Sequence, residues 1–339
     1  MRTRKSVLVI AAAGLALLAG TLGACCSLSK DEVATRLLAL PKNARFREAG
    51  LERRVVPMRM GGSDVDAELT FVRAGPRAPG AAPARPVVLV HGTPSSLFTW
   101  TDVVFGADGS GGLADDFDVI VLDVVGHGVT RTPAPDPMTF QAGAEWVVGA
   151  IEGLGLGPVH LVGNSYGGEF CWRAALDRPD LVRTLTFLDS SGYPRPADGW
   201  LPEEVAMREM SLAPYGWIVA TREKVRGALQ PHFPDPVTAD QVEECFAISI
   251  NRENWRAMVD LARDENGTRA VEIPLLACPT LLLWGEDDIA FPVARDAERY
   301  AREIEGAELV VLPRCGHYPQ ETLARDVTER LGAFFRSHP

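Results

Sequence analysis

Six short, almost uninterrupted apolar segments, separated by stretches of helical period, restrict this fold more than any other feature of the chain. They are VVLVHG (87–92), FDVIVLD (117–123), VHLVGN (159–164), VRTLTFLD (182–189), PTLLLWG (279–285) and ELVVLP (308–313). A strand that is apolar at nearly every position is buried on both faces, which is the condition of a parallel sheet covered by crossover helices. FQAGAEWVVGAIEGL (140–154), YGGEFCWRAAL (166–176), ARDAERYARE (294–303) and ETLARDVTERLGAFF (321–335) have the helical spacing to supply those crossovers. Upstream, VVPMRM and AELTFVRAG read as a strand pair, and GPRAPGAAPARP (75–86) as a surface loop. The expected class is α/β, a mostly parallel sheet flanked by helices.

One interval breaks the alternation. Residues 193–272 have helical texture, several prolines, and large side chains such as Trp200, Met207, Trp217, Phe233 and Trp255. This predicts a helical cap inserted between a first core segment (51–192) and a second (273–339). Most of its aromatic residues are expected to pack among themselves, with two or three facing a substrate.

The N-terminus carries a different signal. Arg2, Arg4 and Lys5 precede an apolar run from Val7 to Ala24, the layout of an export leader (1–24). Leu22, Gly23, Ala24 and Cys25 resemble a bacterial lipobox, which implies lipid attachment at Cys25 and a protein held on the periplasmic or extracellular side of an envelope membrane. An uncleaved signal anchor is one alternative, because a run of about 18 apolar residues just spans a bilayer, and a conventionally cleaved signal is the other. Residues 25–50 read as a tether and N-terminal arm, with a short amphipathic helix near Glu32–Leu40 ended by Pro41.

Composition removes several classes of function. With 46% hydrophobic residues the chain can bury a full core, and a formal net charge of −11 without a basic patch argues against a nucleic-acid partner. The six cysteines include no CxxC pair, so no zinc site is expected, and Cys171, Cys245, Cys278 and Cys315 are expected as free thiols.

The chemistry concentrates in HLVGNSYGGEF (160–170). Glycines on either side of Ser165 let a strand turn abruptly into a helix and project the hydroxyl from the sheet, with the Tyr166 N–H at the helix start. A serine is a weak nucleophile without a base, and a histidine base needs a carboxylate to hold its tautomer. The expected order of serine, acid and histidine leaves His317, in LPRCGHYP, and His338 beside the C-terminus. His317 follows the last apolar segment and is preferred; His91, His127 and His160 read as structural. For the acid there are two strand-end candidates, Asp288 in WGEDDIAFP and Asp189 in TLTFLDSSG, and chain order does not choose between them.

Taken together, LVHGTP, DVVGHGVT, GNSYGG, WGEDDIAFP and CGHYP resemble, in order, the motifs of serine-nucleophile α/β-hydrolases. The resemblance spans residues 51–339. It implies a triad of Ser165, Asp288 and His317, selects Asp288 through the pattern W-G-x-x-D-x-x-x-P, and places the oxyanion-hole N–H groups at Thr93 and Tyr166, with Gly92 permitting close approach. It implies no metal or organic cofactor. Segments HGTPSS and GHGVT also resemble the haloalkane dehalogenase and epoxide hydrolase branches, whose nucleophile is aspartate. A serine ether could not be released by water attacking a carbonyl, so those reactions are disfavoured. The expected activity is hydrolysis of carboxylic esters through an acyl-enzyme. A carbon–carbon bond hydrolase of diketone-like substrates, a lactonase, an amidase or an aminopeptidase are the enzymatic alternatives, and a non-catalytic envelope binding protein the remaining one.

Overall fold

The computed structural model describes residues 27–76, 86–196, 199–210 and 213–339. The expected leader, Cys25 and most of the Pro/Ala/Gly-rich loop lie outside the described residues. An eight-stranded sheet is built from β1 (Glu52–Met60), β2 (Ser63–Ala74), β3 (Val87–Val90), β4 (Val119–Leu122), β5 (Val159–Asn164), β6 (Val182–Leu188), β7 (Thr280–Gly285) and β8 (Glu308–Leu312), in the order β1-β2-β4-β3-β5-β6-β7-β8. Only β2 opposes the common direction, pairing antiparallel with β1 and β4; β4 to β8 pair in parallel. The six apolar segments are thus the six parallel strands, each within two residues of its expected bounds.

Burial on both faces explains their composition. Along β3, Val88 and Val90 face one core, while Val87 and Leu89 face the other. The first core packs under α4 (Phe140–Gly153) and α5 (Tyr166–Asp177) around Trp146, Phe170, Trp172 and Phe187; the second packs under α3 (Thr101–Phe105) and α12 (Ala324–Ser337) around Phe98, Trp100 and Phe335. Each such side chain contributes about 1.5–3 kcal/mol on leaving water. The α3 turn was not legible beforehand, because LFTWTDVVF is mostly apolar and short, and its few polar residues do not mark out a clear helical face.

The arm expected to begin as a tether is, from Ser27 onward, part of the folded body. Helix α1 (Lys30–Ala39) starts on a capping box of Ser29 and Glu32 and buries Val33 and Leu37, and Phe46 of α2 (Ala44–Ala49) is fully buried. Lys30 is buried too: its ammonium donates to His127 O at 3.1 Å and to Asn254 Oδ1, and burial lowers its pKa to about 8. The first bond ties the arm to the core and the second to the cap, whose helices are α6 (Pro202–Glu209), α7 (Arg222–Leu229), α8 (Ala239–Ser249) and α9 (Arg252–Asp264). After β7 come α10 (Ala297–Glu303) and, beyond β8, α11 (Pro319–Thr322). Cys171, Cys245, Cys278 and Cys315 are unpaired, as their spacing suggested.

Candidate active site

Because the six parallel strands share one direction, the residues that follow them gather at one edge of the sheet: Gly92 and Thr93 after β3, Asp123 after β4, Ser165 after β5, Asp189 after β6, Asp288 after β7 and His317 after β8. The sheet's carboxyl edge is where open α/β folds place their sites.

Ser165 occupies a strained backbone position, φ 56° and ψ −126°, of the kind that costs about 1–3 kcal/mol and persists only when its surroundings over-determine it. Here three main-chain bonds do so: Ser165 N–H donates to Leu188 O (3.0 Å), and Ser165 O accepts from Gly168 (3.0 Å) and Ser191 (3.3 Å). A Cβ on Gly163 would lie 2.4 Å from Gly167 O, so the strand and the helix approach this closely only because of glycine. Gly92 serves the same purpose from β3, where a Cβ would sit 2.6 Å from Ser165 Cβ.

The acid segment explains its own sequence pattern. Trp284 Nε1 donates to Phe291 O at 2.7 Å and closes the loop; Asp288 N–H donates to Gly285 O at 3.2 Å and turns the side chain inward. Asp288 Oδ1 accepts the Ala290 N–H at 2.8 Å, and Oδ2 lies 3.0 Å from His317 Nδ1. Burial alone would push the Asp288 carboxyl up, but the facing His317 ring and the Ala290 N–H outweigh it and hold the group below the usual carboxylate range. Glu286 and Asp287, its neighbours in the charge run, are exposed. His338 stays at the end of α12, bonded to Phe334 O.

Ser165, His317, Thr93 and Tyr166 border one cavity of about 120 Å³ between sheet and cap, walled by apolar cap residues including Leu201, Met207, Leu229 and Met258. Of the large cap residues singled out in the sequence, Met207 lines this cavity, while Trp255 bonds to Ala213 O inside the cap. The Tyr166 N–H opens α5, where first-turn donors have no intrahelical acceptor. Thr93 is fixed from below: its hydroxyl donates to His127 Nε2 at 3.0 Å, and His91 bridges Gly92 O (2.8 Å) and the Val124 N–H (3.0 Å). Burial lowers the His127 pKa to about 3, with the nearby His91 adding to the effect, so it stays a neutral acceptor. His91 and His127 are therefore structural as expected, but the structure they hold is the Gly92–Thr93 turn. His160 bonds Thr184 and stacks on Phe335, away from the site.

Several supporting residues escaped the sequence. Asn164 Nδ2 donates to Leu188 O (3.0 Å) and His317 O (3.2 Å), and its Oδ1 accepts from Gln320 (3.1 Å), clamping the histidine loop to the elbow. From the cap, His232 O accepts the His317 N–H at 3.1 Å. The Tyr166 hydroxyl donates to Glu265 at 2.5 Å, and Glu265 pairs with the buried Arg195, which also holds Glu204. The only sequence signal for Asn164 was its place beside the serine; the others are contacts between distant segments. Among the described residues no cluster of His, Cys, Asp and Glu is suited to a metal ion, and no helix is long and apolar enough to cross a membrane.

A strained serine after a parallel strand, with a histidine–aspartate pair from the ends of β7 and β8, coincides with what the sequence matches: the profile of the Alpha/beta hydrolase family fits residues 87–330. The chain belongs to the alpha/beta hydrolase family. Within that family it is 28% identical over 272 residues to the dihydrolipoyllysine-residue acetyltransferase component of the acetoin cleaving system of Pseudomonas putida, a match covering 76% of this chain and 65% of that protein. It is 27% identical over 214 residues to 2-hydroxymuconate semialdehyde hydrolase of Pseudomonas putida, over 60% of this chain and 71% of the relative. Among solved structures, a thermophilic esterase from Thermogutta terrifontis superposes with a TM-score of 0.67 at 24% identity, covering 85% of this chain and all of the esterase. This alpha/beta hydrolase is thus a hydrolytic enzyme by family.

Proposed function

We propose that this hydrolase cleaves carboxylic esters through an acyl-enzyme. The observation that carries the reading is the 3.0 Å contact of His317 Nδ1 with the buried Asp288 carboxylate, in a loop that borders the same cavity as Ser165. In this mechanism Ser165 Oγ attacks the ester carbonyl and passes its proton to His317 Nε2, while Asp288 stabilises the imidazolium. The N–H groups of Thr93 and Tyr166 receive the developing oxyanion. Collapse of the tetrahedral intermediate expels the alcohol, protonated by His317, and water repeats the sequence to release the acid.

The cavity sets an expectation for substrate size. At about 120 Å³ it is well below the 300–1,000 Å³ typical of sites for drug-sized ligands, so short acyl chains fit best. Across a panel of nitrophenyl esters, kcat/KM is expected to peak at acetyl to butyryl and fall steeply toward palmitoyl. Failure to hydrolyse any ester, with no labelling of Ser165 by a fluorophosphonate, would refute the esterase reading. The likeness to 2-hydroxymuconate semialdehyde hydrolase supports carbon–carbon bond hydrolysis as a second reading; turnover of 2-hydroxymuconate semialdehyde in place of the esters would favour it.

The location is part of the same proposal: export, with a lipid anchor at Cys25, would put this activity on the outer side of a membrane. A fatty-acid probe should label the wild-type protein and not Cys25→Ser. Equal labelling of the two would disprove the anchor.

A further inference from the structure

Two buried aspartates end neighbouring strands, Asp189 after β6 and Asp288 after β7. Asp189, at the end of β6, is fully buried and takes up the left-handed region with φ 48°, where side chains other than glycine are uncommon. Its N–H donates to Leu283 O at 3.3 Å, and its Oδ1 accepts the Gly285 N–H at 2.9 Å. The second oxygen, Oδ2, is also out of contact with solvent, and no donor reaches it among the described residues. Asp189 and Asp288 converge on Gly285, whose N–H donates to Asp189 Oδ1 and whose O accepts the Asp288 N–H at 3.2 Å, and the Asp288 charge acts directly on the Asp189 carboxyl.

Two carboxylates buried side by side cannot both be ionised. One proton between them converts the repulsion into a charge-assisted O–H···O bond, the stronger kind. The surroundings decide which of them holds it. Asp288 has an imidazole and an N–H as partners, whereas Asp189 has a single N–H. Burial and the neighbouring Asp288 charge push the Asp189 carboxyl well above the usual range. The remaining titratable groups around the pair do not upset this balance. His232, from the cap, is lowered to about 4 by burial and stays neutral; the Cys315 thiol, after β8, is pushed up by burial and stays protonated; Asp296, before α10, is raised by burial to about 6 and is paired with Arg295.

We propose that Asp189 is a positioning residue held as a neutral carboxylic acid: it accepts the Gly285 N–H, donates its own O–H to the Asp288 carboxylate, and so fixes the charge and direction of the group that orients His317. The inference rests on the assignment of Ser165, His317 and Asp288 as the triad. On this view the two strand-end acids are partners with opposite protonation states.

Asparagine reproduces a neutral acid group for group, with an NH₂ donor toward Asp288 and a carbonyl toward Gly285, whereas alanine removes the donor. With a short nitrophenyl ester, D189A is expected to lower kcat by about 10- to 100-fold, the scale of one lost hydrogen bond to a charged group, with KM little changed. D189N should restore kcat to within about threefold of wild type, since that bond is kept. The acidic limb of kcat/KM against pH, which reports the essential base, should stay in place in D189N, because one neutral group replaces another. An infrared difference spectrum, wild type minus D189N at neutral pH, should contain the carbonyl band of a protonated carboxylic acid. D189N as crippled as D288N, an acidic limb displaced to lower pH in D189N, or a carboxylate band in the difference spectrum would each overturn the proposal. So would a folded D189A with wild-type kcat and pH profile. If D189A does not fold, D189N and the infrared band still decide. Loss of the triad assignment would be seen separately, as activity retained by S165A with the infrared band unchanged.

Discussion

Replacing Ser165 by alanine is expected to abolish ester hydrolysis, with a fall in kcat of up to about 10⁶-fold, the size of nucleophile loss in comparable triads. The covalent route disappears with the hydroxyl, and what remains is the cavity and the N–H groups of Thr93 and Tyr166. Stability should hardly change. Ser165 Oγ has no side-chain hydrogen bond to cap its helix, and the elbow is held by main-chain bonds to Leu188, Gly168 and Ser191 that alanine keeps. The thermal midpoint should therefore match wild type, within about 0.5 kcal/mol of stability for a substitution that strands no partner. A folded S165A with a tenth of wild-type turnover would end the serine mechanism.

The second large effect is expected at Asp288. Its two oxygens both accept, from the Ala290 N–H and from His317 Nδ1. Asparagine has one acceptor and one donor for those two places. Main-chain rigidity favours giving the amide oxygen to Ala290, which leaves the NH₂ facing Nδ1. His317 would then have to present an unprotonated Nδ1 and carry its proton on Nε2, where it cannot take one from Ser165. This wrong tautomer, with the loss of charge opposite the imidazolium, costs about 10⁴-fold in a comparable triad. D288N is expected to lose activity on that scale in kcat/KM at neutral pH while remaining folded. Activity within about tenfold of wild type, too little for a tautomer error, would move the acid elsewhere, with Asp189 first in line.

Much of this was legible before any coordinates. Strands buried on both faces carry apolar residues without alternation, and that local rule located all six parallel strands. The elbow was legible for a related reason: a strand, a serine between small residues and a helix leave few backbone paths, and a Cβ on Gly163 would collide with Gly167 O, as one on Gly167 would with His91 O. The inserted cap showed itself as a break in the alternation.

The sequence by itself determined the class of fold, the family resemblance and the strand ends where candidate site residues stand, because periodicity, glycine sterics and strand-end position act over a few neighbouring residues. Only the tertiary structure decided which groups meet. It set His317 against Asp288, turned His127 toward Thr93, clamped the histidine loop through Asn164 and Gln320, and packed residues 27–50 onto the body through Val33, Leu37 and Lys30. It also brought Asp189 and Asp288, from the ends of β6 and β7, onto the same Gly285. Those outcomes depend on distances between segments tens to hundreds of residues apart and on how deeply charged groups are buried, and neither quantity is written in the local order of the chain.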